Sequence, residues 1–377
     1  MTTSRSSLLR RVRSVALVPA LSIVLALLTG AVLMLVTSPL VTGSLSLTLP
    51  VEAYAAMLSG AFGSADGLVR TMVNATPLVL AGLAVGIGFK AGLFNIGAQG
   101  QFLIGGLASA AAGAAVADLP PLAAIPIALA AGILAGAAYG AIPGALKAFT
   151  GAHEVVTTIM LNYIAIYLVA FLVSGPLLAE GAQFARTEEV GNAALPIIIG
   201  RDGSIGMLFA AMAVPAVWWL LFRTTIGFEI RTVGANPDAA RYAGMRPRRL
   251  IILTMTMAGL LAGLAGAVQI LGITHFMPAG YSTTIGFDGI AIALLGHAHP
   301  VGILFSGLLF GVMRAGAGFM QIQAGVPVQM VDVLGGVILF FLAAEVIVRR
   351  LFRVKARAAG IEELTTVTRT YGGQAAP

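Results

Sequence analysis

The sequence predicts an all-α membrane protein, a polytopic bundle of about ten transmembrane helices. Roughly ten separate stretches are long and apolar enough to cross a bilayer, whose hydrocarbon core requires about 20 such residues per helix. Only 10% of the 377 residues are charged, and the mean hydropathy is +0.97. A soluble chain of this length could not bury so much apolar surface in one core.

The predicted spans follow one another along the chain with short connections. They cover residues 15–37, 72–89, 95–117, 122–143, 156–176, 205–222, 251–273, 286–297, 300–319 and 329–348. The first apolar run is longer than the 7–15 residues of a signal-peptide core, so we interpret it as an uncleaved helix. Residues 50–62, between the first two spans, are expected to lie along the membrane surface. The eighth span is short and begins with glycines.

The distribution of charge predicts the orientation of the chain. Lysine and arginine concentrate on the cytoplasmic side of membrane proteins. Eighteen of the 22 basic residues fall on one side of the ten-span model: before span 1, after spans 2, 4 and 6, and after span 10. We therefore expect a cytoplasmic segment 1–14, a membrane domain 15–348 with a basic cytoplasmic loop 223–250, and a cytoplasmic tail 349–377.

Several kinds of chemistry are disfavoured by the composition. The chain has no cysteine, and its four histidines are scattered, so no metal site is expected. No lysine follows a glycine, as the phosphate-binding P-loop of ATPases would require. We therefore expect neither a bound cofactor nor an ATPase site in this chain, and the basic net charge of +7 indicates topology rather than nucleic-acid binding.

The two halves of the sequence have a weak similarity that predicts an internal two-fold repeat. Spans 2–5 and 7–10 each contain a glycine-rich polar interruption near the start of a helix, at residues 92–101 and 286–289. Paired interrupted segments of this kind mark the substrate path in many transporters.

The basic loop contains a short sequence with helix signals at both ends. Asn236 suits an N-cap, Pro237 the first helical position and Asp238 the first turn, and Gly244 suits a C-terminal stop. A helix of about two turns is unstable alone, so it requires a surface to pack on. That surface is either its own bundle or another protein.

The same loop carries a resemblance to a known family. Asp238-Ala239-Ala240-x-x-x-Gly244 resembles the Glu-Ala-Ala-x-x-x-Gly loop of ABC importer permeases, with aspartate in place of glutamate. Residues 92–101, 154–163 and 286–296 resemble the branched-chain amino acid/ribose-type permeases, most of all the nucleoside branch linked to a basic-membrane-protein lipoprotein. The resemblance covers about residues 70–350, and the turn at His297 and His299 does not match the family pattern.

The resemblance implies a transport subunit with several partners. A separate ATPase subunit would bind ATP and magnesium and would dock on a coupling helix made of Asn236, Pro237, Asp238, Ala239, Ala240, Arg241 and Gly244. A second permease chain, identical or paralogous, and an extracytoplasmic substrate-binding lipoprotein would complete an importer in the bacterial cell membrane. The solute would be a nucleoside or, alternatively, a simple sugar such as ribose. A stand-alone secondary transporter and a membrane enzyme are the other readings, disfavoured by the few intramembrane carboxylates and the absence of a polar cluster at one interface.

Polar side chains inside the spans are candidates for the translocation pathway, because they are costly there without a partner or a role. The candidates are Asn95, Gln99, Gln101, Asn162 and Asp288. Amides both donate and accept hydrogen bonds, which suits a neutral solute such as a nucleoside. The alternative for each is a hydrogen bond between helices. Arg314 and Asp332, at similar depths of adjacent spans, are expected to form a structural ion pair.

Overall fold

The computed structural model describes residues 3–42, 46–281, 283–344, 348 and 352. Of the predicted tail 349–377, all but Phe352 lies outside the described residues. The helices are α1 Thr3–Thr42, α2 Leu49–Phe62, α3 Ala65–Lys90, α4 Ala98–Ala115, α5 Pro121–Thr150, α6 Glu154–Ser174, α7 Gly206–Arg223, α8 Thr225–Ala235, α9 Pro237–Tyr242, α10 Pro247–Gln269, α11 Ile285–Leu295, α12 Pro300–Ala324 and α13 Met330–Ala343. A short 3₁₀ turn, Gly191–Ala193, and a π-helical turn, Ile270–Thr274, complete the helical structure of these residues.

Each predicted span coincides with one helix, and α2 forms where a surface segment was expected. Within the described part of the chain, seven helices are long and apolar enough to cross a membrane, so the protein is a polytopic helical membrane protein. Two more apolar helices, α11 and α13, are shorter. At 1.5 Å per residue the 11 residues of α11 extend about 16 Å, roughly half of the hydrocarbon core. The count of ten spans and the orientation stay predictions.

The chain forms two compact units, of which the first contains residues 1–60 and 316–377. Within it, α1 packs against α13. Gly30 admits this approach, because a side chain there would overlap Leu334. The Tyr54 hydroxyl of α2 donates a hydrogen bond to the Leu27 carbonyl at 2.7 Å, which ties α2 to α1.

The second unit, residues 61–315, is built around a close contact between α5 and α10. Four glycines of α5 at four-residue spacing, Gly132, Gly136, Gly140 and Gly144, face α10. A Cβ atom at Gly136 would lie 2.5 Å from the Gly259 carbonyl oxygen and the Gly263 Cα. Small residues on one helix face let two backbones approach, which is how helices in lipid gain packing energy. We call this contact the glycine seam.

In the second unit, the two halves of the sequence contact each other through corresponding helices. Helix α4 packs against α10, and α11 packs against α3, so the second helix of each half contacts the first helix of the other half. This exchange agrees with the internal repeat expected from the glycine-rich interruptions, although the repeat itself stays a prediction.

A small β-hairpin, which the sequence analysis did not predict, interrupts the loop before α7. Strand β1, Ile197–Ile199, pairs antiparallel with β2, Gly203–Ser204. All three isoleucines of β1 are exposed. Apart from these strands, the regular structure of the described residues is helical, as predicted.

Candidate translocation site and coupling segment

The first turns of α4 and α11 meet in the core of the second unit. Gly286 allows this approach, since a Cβ atom there would lie 2.8 Å from the Ala98 carbonyl carbon. The Gln99 side chain joins the two helices: its Oε1 accepts from the Gly286 amide at 2.9 Å, and its Nε2 donates to the Thr283 carbonyl at 2.8 Å. The structure therefore brings together the two glycine-rich interruptions of the sequence.

The other three amides, Asn95, Gln101 and Asn162, form hydrogen bonds at the start of α4. Asn162 of α6 accepts from the Gly100 amide at 2.8 Å and donates to the Ile96 carbonyl at 3.0 Å. Asn95 accepts from the Gly97 amide and donates to the Gln101 side chain at 3.2 Å. All four amide side chains are buried, with at most 2% exposed. These contacts favour the reading in which the amides bond helices together, and their role in the pathway stays a prediction.

Asp288 differs from the amides because it is charged and partly exposed. Its carboxylate lies 2.5 Å from the Arg314 guanidinium of α12, and the same Arg314 nitrogen donates to the Thr284 hydroxyl at 2.7 Å. The Asp288 and Arg314 side chains keep 17% and 23% of their surface exposed. An ion pair inside a membrane protein normally faces the bundle interior or water rather than lipid. We call Thr284, Asp288 and Arg314 the polar triad.

The pairing of Arg314 with Asp288 was not expected from the sequence. The ion pair expected from the sequence joins Arg314 and Asp332, and that pairing stays a prediction. The signal that could have identified Asp288 as a partner is its position in the first turn of a short, interrupted helix. A lone arginine in the following span had to find an acid within reach.

Two further residues near the polar triad were missed because neither carries a charge. The Tyr281 ring stacks on Phe102 with ring centroids 6.5 Å apart. Burial raises the pKa of Tyr281 to about 12, while a hydrogen bond with Gln269 and the positive charge of Arg314 oppose the rise. Tyr281 is therefore a neutral hydroxyl at physiological pH. Gln269 precedes the π-helical turn that ends the α10 span, and such turns are frequent at functional sites.

The predicted helix in the basic loop is present as α9, with both of its ends capped. The Asn236 side chain accepts hydrogen bonds from the amides of Asp238 and Ala239 at 3.0 and 2.9 Å. Gly244 has φ +82°, a conformation that favours glycine, and the Met245 amide returns to the Ala240 carbonyl at 3.0 Å. This is the Schellman ending of a helix. The prediction of a short helix bounded by Asn236 and Gly244 is confirmed.

The faces of α9 are unequal in exposure. Ala240 is fully buried, whereas the Asp238 and Arg241 side chains are 78% and 72% exposed and form an ion pair at 3.6 Å. Tyr242, which the sequence analysis left out of the candidate coupling residues, is 94% exposed. The residues available to a partner therefore include Asp238, Arg241 and Tyr242 but not Ala240.

Helix α8 precedes α9 in the chain and packs against the turn between α3 and α4. Gly92, at φ +70°, turns the chain after α3, and Gly234 near the end of α8 packs on this turn. A Cβ atom at Gly234 would lie 2.8 Å from the Ala91 carbonyl carbon and 2.9 Å from the Gly92 nitrogen. Movement of α9 would thus reach the α3–α4 turn through a contact between backbones.

The turn between α11 and α12 carries His297 and His299. The His299 ring lies 5.3 Å from the Phe222 ring, centroid to centroid. Burial, helped by the positive charge of Lys90, lowers the pKa of His299 from its usual 6.5. Among the residues that the structure describes, no three His, Cys, Asp or Glu side chains gather as a metal site.

Comparison with known proteins identifies the family. The family model described as the permease component of the branched-chain amino acid transport system matches residues 67–343. The chain belongs to this family. It is an ABC importer permease by family, and therefore a transport subunit.

Several members of this permease family are similar over most of their length. The chain is 38% identical to the guanosine ABC transporter permease protein NupP of Bacillus subtilis (strain 168), over 88% of this chain and 94% of the relative. It is 36% identical to the nucleoside ABC transporter permease protein NupB of Lactococcus lactis subsp. cremoris (strain MG1363), over 93% and 96%. It is 35% identical to the glucose ABC transporter permease protein TsgB13 of Haloferax volcanii, over 78% and 80%. No solved structure matches the chain.

Proposed function

We propose that the chain is the permease subunit of an importer that moves a nucleoside into a bacterial cell, driven by a separate ATPase subunit. The observation that supports the substrate is the similarity to NupP and NupB, which extends over 94% and 96% of those proteins, named for guanosine and for nucleosides. The membrane would be the cell membrane, with the basic loop and both termini inside. A second permease chain and an extracytoplasmic binding lipoprotein would complete the importer.

Within this proposal the polar triad lines the path of the solute. It has the chemistry that a nucleoside requires, because Thr284 and Asp288 can accept from hydroxyl or amino groups and Arg314 can donate. Because the triad is partly exposed, a passing solute could contact it briefly. The four buried amides would set the positions of α4 and α11 around this path, and only Gln99 contacts both.

A simple sugar is the second candidate substrate, because TsgB13 is named for glucose and is 35% identical. The ribose part of a nucleoside would make similar hydrogen bonds, so the polar triad alone does not separate the two classes. The coverage favours the nucleoside, since TsgB13 matches over a smaller part of both chains than NupP and NupB do.

An uptake experiment distinguishes these candidates. Cells that produce the chain with its ATPase, second permease and binding lipoprotein should accumulate labelled guanosine or uridine, and cells lacking only this chain should not. Excess unlabelled nucleoside should compete, while excess glucose or ribose should leave the uptake unchanged. Accumulation of glucose or ribose that depends on this chain, without any nucleoside uptake, would show that the substrate proposal is wrong.

A further inference from the structure

A cavity of about 870 Å³ lies between the end of α5 and the start of α10, beside α9. Its rim is formed by four arginines, Arg241, Arg246, Arg248 and Arg249. Its apolar wall includes Leu253 and Phe149, of which Phe149 is 70% exposed. None of the residues that the structure places around this cavity is acidic. We call it the basic cleft.

The basic cleft extends into the membrane-spanning part of α10. The helix around α10 that is long and apolar enough to cross a membrane begins at Pro247, and the one formed by α5 ends at Thr150. Arg246, Arg248 and Arg249 surround the beginning of α10, whereas Leu253 and Thr256 follow one to two turns later. At 1.5 Å per residue, Thr256 lies about 13 Å along the helix from Pro247. In the proposed orientation, one end of the cleft would lie at the membrane surface and the other at the depth of the lipid chains.

The four charges of the rim exceed those of the acids near it, Asp238 and Glu229, of which Glu229 lines an adjoining pocket with Arg246 and Arg249. Arg241 pairs with Asp238 at 3.6 Å, but both side chains are more than two-thirds exposed, so this pair is weak and leaves Arg241 able to bind elsewhere. The other three arginines are also exposed. Guanidinium groups bind phosphate oxygens with paired hydrogen bonds. The rim therefore has the chemistry of an anion site, and the wall below it has the chemistry of an acyl-chain site.

We propose that the basic cleft binds an anionic phospholipid of the cytoplasmic leaflet, with its phosphate on the arginine rim and an acyl chain along Phe149 and Leu253. Basic pockets between membrane helices on the cytoplasmic side bind anionic head groups. The inference rests on the orientation proposed above, in which this face is cytoplasmic. It assigns to the chain a lipid site that is separate from the solute path.

The depth of the cleft favours lipid over a segment of the ATPase subunit. A soluble subunit could reach the arginine rim, but the wall near Thr256 lies at a depth that bilayer lipids occupy. A lipid in this position would touch both Arg241 of α9 and the first turns of α10. It would thereby hold α9 against the membrane and support the coupling of ATP hydrolysis to transport.

The test uses the complete importer, purified and reconstituted in phosphatidylcholine with or without phosphatidylglycerol. Substrate-stimulated ATP hydrolysis should be higher with phosphatidylglycerol, and native mass spectrometry should find phosphatidylglycerol retained on the complex. The triple variant Arg246→Gln, Arg248→Gln, Arg249→Gln should retain it roughly a hundredfold less, since each basic residue near an anionic surface contributes about 1 kcal/mol. The stimulation by phosphatidylglycerol should disappear with it.

Two further variants separate the possible explanations. The matched control Arg70→Gln, Arg186→Gln, Arg201→Gln removes three charges from predicted outer loops and should keep the lipid and its effect. Leu253→Trp should fill the apolar wall without changing charge and should also reduce retention. If only the arginine variant lost binding, the arginines alone would hold the head group, and the assignment of an acyl chain to this wall would be wrong.

Two other results would also overturn the inference. A triple arginine variant with wild-type lipid retention and stimulation would show that the cleft is not the site. Loss of the ATPase subunit from that variant in both lipid mixtures would show that the cleft binds protein. A wild-type importer that fails to transport nucleosides yet retains phosphatidylglycerol through the arginines would contradict the proposed substrate and leave the lipid site standing.

Discussion

At the scale of single residues, Asp288 and Arg314 are the informative pair, because each makes the other tolerable inside the membrane. Removing one partner of a buried pair leaves an uncompensated charge and typically costs about 3–5 kcal/mol, whereas replacing both is often nearly neutral. Since both side chains here keep about a fifth of their surface exposed, the cost should lie at or below the lower end of that range. This asymmetry allows stability and transport to be measured separately.

The first prediction uses the single variants Asp288→Asn and Arg314→Gln and the double variant. Each single change should lower the thermal unfolding midpoint and nucleoside uptake, and the double variant should recover the midpoint but not the uptake. The recovered midpoint is expected because the double variant removes both charges of this pair. The exposed pair Arg70 and Asp202, 3.9 Å apart, is the control, and its variants should change little. Full recovery of uptake in the double variant would assign the pair a structural role only.

The sequence identified the polar residues that lie within apolar segments but not what they contact. Asn95, Gln99, Gln101, Asn162 and Asp288 stand out because amides and acids are rare in apolar spans. Gln99, however, bonds to residues 184 and 187 positions later in the chain. Such partners depend on how the helices pack, which hydropathy does not encode. The same limit explains why the pairing of Arg314 with Asp288 and the position of Tyr281 were missed.

At the scale of elements, α9 was the most predictable part of the molecule. Its limits depend on local chemistry, an asparagine cap and a glycine in a left-handed conformation, which can be identified from sequence. Its buried face could not be predicted, since six residues make less than two turns and show no clear periodicity. A change at Ala240 would therefore disturb the packing of α9, and the docking hypothesis is better tested at an exposed position.

The second prediction concerns Tyr242. Tyr242→Ala should reduce the amount of ATPase subunit that copurifies with the permease, because exposed tyrosines often contribute strongly to interfaces. The unfolding midpoint of the permease should stay within the small range expected for a surface change. Tyr167→Ala on α6, where the tyrosine is 71% exposed, is the control. Wild-type recovery of the ATPase with Tyr242→Ala would argue against docking on this face.

The third prediction concerns the contact between α8 and the α3–α4 turn. Gly234→Ala should force the two backbones apart, because its Cβ atom has no space beside Ala91 and Gly92. We expect ATP hydrolysis to persist while nucleoside uptake per ATP falls several-fold. Overpacking of this kind typically costs about 1–3 kcal/mol, so some loss of stability should accompany it.

Gly318→Ala is the matched control for that experiment, since its added carbon would meet no atom within 4 Å outside its own turn of helix. In a helix this change should be neutral or slightly stabilising, by up to about 1 kcal/mol. An equal fall in uptake for both variants would mean that the Gly234 contact has no special part in coupling. Unchanged uptake per ATP with Gly234→Ala would lead to the same conclusion.

At the scale of the whole molecule, hydropathy and charge predicted a polytopic helical protein, and the helices lie where the spans were placed. The packing of α11 against its neighbours was less predictable, because a helix of 11 residues is too short to cross the hydrocarbon core. The glycine seam could not be predicted as a contact, although the four-residue spacing of its glycines can be seen in the sequence. The spacing shows that one face of the helix carries small residues, but not which helix packs on that face.

The fourth prediction tests the orientation. The native chain has no cysteine, so single introduced cysteines give labelling without background. Ala65→Cys and Gln183→Cys should react with an impermeant thiol reagent in intact cells. Thr150→Cys and Thr232→Cys should react only after permeabilisation. Ala65 is preferable to Ser64, whose side chain caps α3. Labelling of Thr232→Cys in intact cells would show that the proposed topology is wrong.

The meeting of the first turns of α4 and α11 has a consequence for leakage of ions. Each helix N-terminus carries the equivalent of about half a positive charge. Because Asp288 offsets the charge of Arg314, the two ends add roughly one positive charge where they meet at Gly286. Positive half-helix ends of this kind exclude protons and cations from a membrane pore. A path past this point would pass an uncharged solute while opposing the inward flow of protons that an energised membrane drives.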